Sequence, residues 1–145
     1  MTDRFWNGDT ANDAAGAANC FDPTAASLFH GGDFAGLRQK AAYLQELGVG
    51  ALWVTPPYKQ IPRAGSACGY HGYWADFADP DDGALEAKLG TAAELEALIA
   101  ELHRLDIRFI LDMVVNHTGR ATARLLGQHP DWFHAQATCA TLGAP

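Results

Sequence analysis

Two short apolar runs, each placed after a segment with helical periodicity, constrain the fold of this chain most. The first run covers residues 49–55 and follows a helical pattern at 34–47; the second covers 108–115 and follows one at 91–105. Short apolar runs bounded by turn residues are typical of strands that are covered on both faces. The order helix, strand, long loop, helix, strand therefore predicts an α/β fold with parallel strands and helical crossovers.

Both predicted helices carry end signals. Asp33 suits the N-cap of the first helix and Gly48 the position after its C-terminus. Thr91 and Glu94 have capping-box spacing at the start of the second helix. One apolar face is expected on each helix, formed by Phe34, Leu37, Ala41, Leu44 and Leu47 in the first and by Leu95, Leu98, Ile99, Leu102 and Leu105 in the second. Residues 1–32 and 58–90 are predicted to be loops.

Composition excludes some classes of function. The 145 residues have a net charge of −7, so no basic surface is available to neutralise nucleic-acid phosphates. No apolar run reaches the roughly 18–20 residues of a membrane span. The N-terminus lacks the apolar core of a signal peptide, which leaves the compartment open. The three cysteines have no zinc-site or disulfide-framework spacing; one bridge with a thiol left over is an alternative that the sequence does not decide.

The end of the second apolar run carries three polar residues, Asp112, Asn116 and His117. The C-terminal ends of parallel strands are where α/β folds and barrels bind their ligands. A carboxylate within a buried strand costs several kcal/mol unless it is paired, so Asp112 requires a partner. The alternative is a purely structural role for all three.

Two loops carry further candidates. Asn7, Asp9, Asn12 and Asp13 put four oxygen-bearing side chains within seven positions, a donor set that suits calcium, and the Gly31–Asp33 segment offers more oxygens. The alternative is a solvated Asn/Asp turn. The segment Tyr70-His-Gly-Tyr-Trp74 groups aromatic rings that suit the apolar faces of sugars. The alternative there is a small satellite core.

In sequence order, these pieces resemble the α-amylase family of glycoside hydrolases, family 13. The matching segments are Asp3-Arg-Phe-x-Asn-Gly-Asp-x-x-Asn-Asp13, Gly31-Gly-Asp-Phe-x-Gly-Leu37, Ala51-Leu-Trp-Val-Thr-Pro-Pro57, Tyr70-His-Gly-Tyr-Trp74 and Asp112-Met-Val-Val-Asn-His117. The early segment is most similar to cyclodextrin glycosyltransferase-like and neopullulanase-like members. The resemblance covers roughly residues 3–134.

The resemblance implies an incomplete (β/α)8 TIM barrel with about strands 2–3, helices 1–2 and long loops. Residues 1–118 would be the N-terminal part of the barrel, and 119–145 the start of the loop domain inserted after strand 3. It implies retaining cleavage or transfer of α-linked glucans by two carboxyl groups about 5–5.5 Å apart. Those carboxylates lie on later strands in the family, so no catalytic residue is expected in these 145 residues, and the chain alone is expected to be inactive.

The resemblance also implies roles for individual residues. Substrate would contact Tyr73, Trp74, His71 and His117. One Ca²⁺ would bind Asn7, Asp9, Asn12, Asp13, Gly31 and Asp33, and another would bind Asn116. Asp112 would brace the strand end. The expected partners are an α-glucan or maltooligosaccharide and the remainder of the barrel, with no nucleic acid and no membrane.

Two competing functions stay open at this point. One is a non-catalytic carbohydrate-binding derivative of the same fold, and the other is a different barrel enzyme, such as a metal-dependent lyase that uses Asp112 and His117 as ligands. The localisation stays undecided: an extracellular or periplasmic parent protein is one alternative, and these residues contain no signal-peptide pattern. The particular glucan, the choice between hydrolysis and transglycosylation, the cysteine redox state and the oligomeric state do not follow from the sequence.

Overall fold

The computed structural model of the protein describes residues 1–16, 19–61, 63–76, 84–119 and 123–133. Its helices are α1 (Phe34–Gln39), α2 (Ala41–Glu46), α3 (Ala92–Arg104) and α4 (Ala123–Gln128), with short 3₁₀ turns at Thr2–Arg4 and Pro130–Trp132. Its strands are β1 (Ala51–Val54) and β2 (Arg108–Leu111). Among the described residues, no helix is both long and apolar enough to cross a bilayer.

The two strands pair in parallel, as the α/β order predicted. Ala51 lies opposite Arg108, and Val54 lies opposite Leu111. Parallel neighbours need a crossover, and here it consists of a long loop followed by α3. Both strands therefore point their C-terminal ends toward the same edge, where the chain continues into Thr55 and Asp112.

One apolar core holds α1, α2 and α3 against the sheet. Phe34, Leu98 and Leu102 are completely buried, and each contributes about 1.5–3 kcal/mol by leaving water. The full cluster also contains Leu37, Ala41, Leu44, Val54, Leu89, Leu105 and Ile107. The Phe34 N–H donates to the Leu89 carbonyl at 2.9 Å, which ties the long loop to the start of α1.

The predicted helix ends are confirmed, but the first helix is interrupted. The Asp33 side chain caps α1 by accepting from the Gly36 N–H, and the Thr91–Glu94 capping box is complete. The expected single helix over 34–47 was wrong, because Lys40 adopts φ −102° and ψ 7° and separates α1 from α2. Leu47 lies beyond this break and is 61% exposed, so its predicted place in the apolar face was wrong too.

The strands differ from their predicted form in length and cover. The strand predicted over 108–115 ends at Leu111, so Asp112 follows the strand and is only half-buried. Complete burial on both faces was also wrong for the described residues: Trp53 is 66% exposed, and Ile110 is 44% exposed. The physical reason is that the described sheet has two strands, and packing from α1 and α3 covers one side of it.

Candidate functional site

The predicted aromatic segment forms a compact group beside the strand ends; we call residues 70–74 the aromatic loop. The rings of His71 and Tyr73 lie nearly parallel, with centroids 6.1 Å apart. Trp74 meets His71 edge-on at 4.7 Å, and Tyr70 does so at 5.2 Å. Gly72 makes this turn with φ +89°, and a Cβ there would lie 2.3 Å from the Pro56 carbonyl oxygen, so only glycine fits.

Tyr73 is held from three directions. Its hydroxyl donates to Asp112 Oδ2 at 2.6 Å, its N–H donates to His71 Nδ1 at 3.0 Å, and its carbonyl oxygen lies 3.0 Å from His117 Nε2. Tyr73 is nevertheless 39% exposed, and the His71 and His117 imidazoles lie beside it. The structure therefore brings together four of the residues that the sequence singled out.

Asp112 has the partner that its carboxylate requires. The hydrogen bond from the Tyr73 hydroxyl to Asp112 raises the pKa of Tyr73, because ionisation would place two negative oxygens side by side. Burial, and then the same carboxylate, raise the pKa of Tyr58. Asp112 thus interacts with two phenols at the strand end: it accepts a hydrogen bond from Tyr73, and its charge acts on Tyr58.

The hydrogen bonds define which ring nitrogens can reach a ligand. His71 Nδ1 accepts from a backbone N–H, and burial lowers the pKa of His71, so its proton resides on Nε2. His117 Nε2 faces a carbonyl oxygen and must donate, which leaves Nδ1 of His117 for other partners. His71 can therefore donate to a sugar hydroxyl, whereas a neutral His117 can accept from one.

Gln60 is a site-positioning residue that the sequence reasoning missed. Its side-chain oxygen accepts from the Trp74 N–H at 2.7 Å, and its side-chain nitrogen donates to the Tyr58 carbonyl at 2.7 Å. Its own N–H donates to Glu86 Oε2 at 3.1 Å. Gln60 is 4% exposed and thus joins three loop segments. Its sequence signal was only a lone polar residue in a loop, which is too common to single out.

The second candidate site is the early loop, residues 7–16. Asn7 Nδ2 donates to both oxygens of Asp13, at 2.9 and 3.1 Å. Asn12 Nδ2 donates to Asp33 Oδ2 at 3.0 Å. Asp33 also accepts from the N–H groups of Gly8, Asp9 and Gly36. The structure therefore gathers the predicted metal-binding residues around the N-terminus of α1.

Two buried oxygens in the early loop are unsatisfied, and they test whether a cation fits there. Asn7 Oδ1 and Asn12 Oδ1 have no hydrogen-bond partner, although each such group costs about 1–3 kcal/mol when it is left unpaired in the interior. Gly31 closes the loop from the other side: a Cβ on it would lie 2.3 Å from Asn7 Nδ2 and 2.6 Å from Asp13 Oδ1. Amide and carbonyl oxygens beside a carboxylate are ligands that Ca²⁺ accepts, so the residues present fit this ion.

Asp33 differs from the other predicted ligands. Its two oxygens accept four N–H groups, which fills the lone-pair sites of a carboxylate. Its carboxylate therefore organises the early loop and caps α1. Asn116, the predicted ligand of another calcium, lies elsewhere: it is exposed and lines a cavity of about 170 Å³ with Val115, Trp132 and Phe133.

A disulfide connects the segments that carry the two candidate sites, which confirms that one bridge forms. Cys20 follows the early loop, Cys68 precedes the aromatic loop, and the two are bonded across 48 residues of sequence. Both are buried, and they pack with Phe29, Leu28 and Tyr70. Cys139 lies outside the described residues.

Comparison with known proteins identifies the family. A family model described as the α-amylase catalytic domain matches residues 1–136. The chain belongs to the α-amylase family. It is similar to the periplasmic α-amylase of Escherichia coli, with 41% identity over 130 residues, which cover 84% of this chain and 19% of the relative. It is also 34% identical to a cyclomaltodextrin glucanotransferase of Paenibacillus macerans, over 85% of this chain and 18% of the relative.

A solved structure extends the likeness to the backbone of this α-amylase-family chain. The crystal structure of an Anoxybacillus α-amylase matches with a TM-score of 0.77 and 37% identity, covering 94% of this chain and 27% of that one. The chain thus spans about a fifth of the length of the curated relatives that it matches. The family is one of glycosidases and transglycosylases, and its match removes the metal-dependent lyase as a competing function.

Proposed function

We propose that this chain forms the N-terminal part of a retaining, α-glucan-active barrel enzyme and supplies one wall of its sugar site. In this proposal Tyr73 stacks on the sugar beside the scissile bond, His71 and His117 hydrogen-bond its hydroxyls, and Trp74 supports the wall. The names of the relatives support a glucan substrate without separating hydrolysis from transglycosylation.

The observation that carries this proposal is the restraint on Tyr73. A sugar-stacking ring must be exposed on one face and yet fixed, because ordering a mobile side chain on binding costs about 0.5–1.5 kcal/mol. The hydroxyl, the N–H and the carbonyl of Tyr73 are each hydrogen-bonded, while the residue as a whole stays partly exposed. Such a ring can stack on the apolar face of a sugar without losing side-chain freedom, and the imidazoles beside it can hydrogen-bond the sugar's hydroxyl groups.

We further propose that the early loop binds calcium through Asn7, Asp9, Asn12, Asp13 and the Gly31 carbonyl. The two unsatisfied amide oxygens support this assignment, because buried oxygens without a hydrogen-bond donor are suited to bind a cation. Asp33 then acts by holding the loop rather than by adding a ligand. Asn116 remains proposed as a ligand of a separate calcium.

The catalytic carboxylates are proposed to lie outside residues 1–145. Asp112 is the carboxylate at the described wall, and its bond to the Tyr73 hydroxyl supports a bracing role. The 145-residue polypeptide is therefore expected not to hydrolyse starch. Starch hydrolysis by this polypeptide that disappears on an Asp112→Asn substitution would contradict the proposal. A complete gene product whose later strands lack the carboxylates would instead favour the non-catalytic, carbohydrate-binding alternative.

The sugar wall is tested by binding. Calorimetric titration with maltoheptaose should show that Tyr73→Ala weakens binding by about two- to tenfold, which corresponds to the roughly 0.5–1.5 kcal/mol that aromatic stacking provides. Tyr43→Ala is the matched control, because Tyr43 is also an exposed tyrosine, at 51%, but lies on α2. Equal affinities for the two variants would count against the wall.

A further inference from the structure

A buried lysine from the long loop reaches the early loop. Lys88 is 3% exposed, and its ammonium donates to the carbonyl of Asp13 at 2.8 Å and also to the carbonyl of Ala15. The Phe29 ring lies 5.9 Å away on another side. A buried ammonium needs such partners, because an unpaired charge in the interior is very costly. The long side chain therefore joins segments more than 70 residues apart in sequence.

The position of this ammonium matters for the proposed calcium site. Asp13 and Ala15 are at the C-terminal end of the early loop, and the Asp13 carboxylate both holds the Asn7 amide and attracts the Lys88 charge. Two backbone carbonyls directed at one cation resemble part of a calcium shell. The Lys88 ammonium thus binds two carbonyl oxygens on one side of the loop, as a metal ion would, but it belongs to the chain itself.

Lys88 is itself held in place. Its N–H lies 3.4 Å from Glu86 Oε1, and the other oxygen of Glu86 accepts from the Gln60 N–H at 3.1 Å. The Glu86 N–H donates to the Pro57 carbonyl, which fixes this segment just after β1. The ammonium is therefore presented from a rigid base that also positions the aromatic loop through Gln60.

We propose that Lys88 is a built-in cation that holds residues 13–15 in their calcium-binding conformation before any metal binds. The early loop is then ordered without calcium, and calcium affinity is not reduced by the cost of ordering it. The effect on calcium affinity rests on the proposed calcium site. The claim that Lys88 orders residues 13–15 without metal rests only on the contacts of Lys88. It predicts that loss of Lys88 makes order in the early loop depend on calcium.

Amide hydrogen exchange read by mass spectrometry tests this, on peptides covering residues 9–16, with EGTA and with calcium. Lys88→Met keeps the apolar stem and removes the ammonium. Lys40→Met is the matched control: it makes the same change in charge, but the Lys40 ammonium lies over the Trp6 ring, 3.8 Å from its centroid. We expect about tenfold faster exchange in EGTA for Lys88→Met only, as for a lost charged hydrogen bond. Calcium should restore protection, and calorimetry should give an affinity about tenfold weaker.

The outcomes separate the two proposals. Unchanged exchange in Lys88→Met, or calcium binding tighter than in the parent protein, would overturn the role of Lys88. If Lys88→Met exchanges faster in EGTA but calcium has no effect on any variant, the ordering role of Lys88 is supported and the calcium site is rejected. If Lys88→Met also loses protection in α3, the variant has unfolded, and the test is then made on the parent protein. Exchange of residues 9–16 that is as slow in EGTA as in calcium supports a loop that is ordered without metal. Faster exchange of these residues in EGTA than in calcium overturns the proposal.

Discussion

The disulfide between Cys20 and Cys68 should be a major source of stability, and its contribution can be worked out from its place in the chain. The two cysteines are 48 residues apart. Closing a loop of about 50 residues in the unfolded chain removes enough conformational entropy to stabilise the native state by about 4 kcal/mol at 25 °C. This is a large share of the roughly 5–15 kcal/mol that is typical of a folded domain.

The perturbation is a double Cys20→Ser, Cys68→Ser variant in a Cys139→Ser background, so that no thiol is left to exchange. Guanidinium unfolding followed by tryptophan fluorescence should give a free energy of unfolding about 4 kcal/mol below that of the Cys139→Ser parent. The slope against denaturant should rise, because an unfolded chain without the cross-link exposes more surface. The Cys139→Ser parent, with its bond verified by mass, is the control.

The same variant should bind maltoheptaose more weakly even where it is folded. Tyr70 packs on the buried cysteines and lies 5.2 Å from His71, so loss of the bond loosens the base of the aromatic loop. Equal unfolding free energies in the oxidised parent and the serine variant would refute the entropic reasoning. Equal free energies of unfolding together with weaker sugar binding would show that the disulfide only fixes the local conformation of the aromatic loop.

Three further predictions concern a glycine, a histidine and a helix cap. Gly31→Ala should abolish any stabilisation by calcium, because the new Cβ would lie 2.3 Å from Asn7 Nδ2 in the early loop. Gly48→Ala is the control, because Gly48 has a similar φ of +79° but open space around it. The control should lower the free energy of unfolding by only about 1–2 kcal/mol in denaturant. Burial lowers the pKa of His71 below its usual 6.5, so burying the neutral ring favours folding in full above about pH 6.5. This contribution is lost as the pH falls from there through the lowered pKa of the folded state, because the unfolded chain then binds the proton more readily. Melting between pH 7 and 5 should therefore show a smaller decrease for His71→Asn than for the parent. Thr91→Ala should lower the unfolding free energy by about 1 kcal/mol through loss of the capping box, and an unchanged denaturation midpoint would contradict that assignment.

Local signals in the sequence predicted the elements that depend on local interactions. The Asp33 cap and the Thr91 capping box bond to groups three residues away, so their patterns are visible in the sequence. Most of the apolar face of α3 was predicted for the same reason; Ile99, which was assigned to that face, is only half-buried and is not part of the core cluster. The break at Lys40 and the exposure of Leu47 were not, because one apolar periodicity runs through both α1 and α2.

Contacts between residues that are far apart along the chain could not be predicted from the sequence. Three sets of contacts join residues that no local pattern relates: the bond from Cys20 to Cys68, the Gln60 contacts with Trp74 and Glu86, and the Lys88 contact with the early loop. The partner of Asp112 was required on energetic grounds, but its identity as the Tyr73 hydroxyl emerged only in three dimensions.

The α/β class with parallel strands could be inferred from the amino-acid sequence, and the order of its motifs indicated the family. This was possible because helix periodicity, strand length and capping depend on neighbours along the chain. The three-dimensional fold was needed to show which loops meet at the strand ends and which oxygens are left unsatisfied. Those features depend on loop closure over tens of residues, where many pairings have similar entropic cost and only packing selects one.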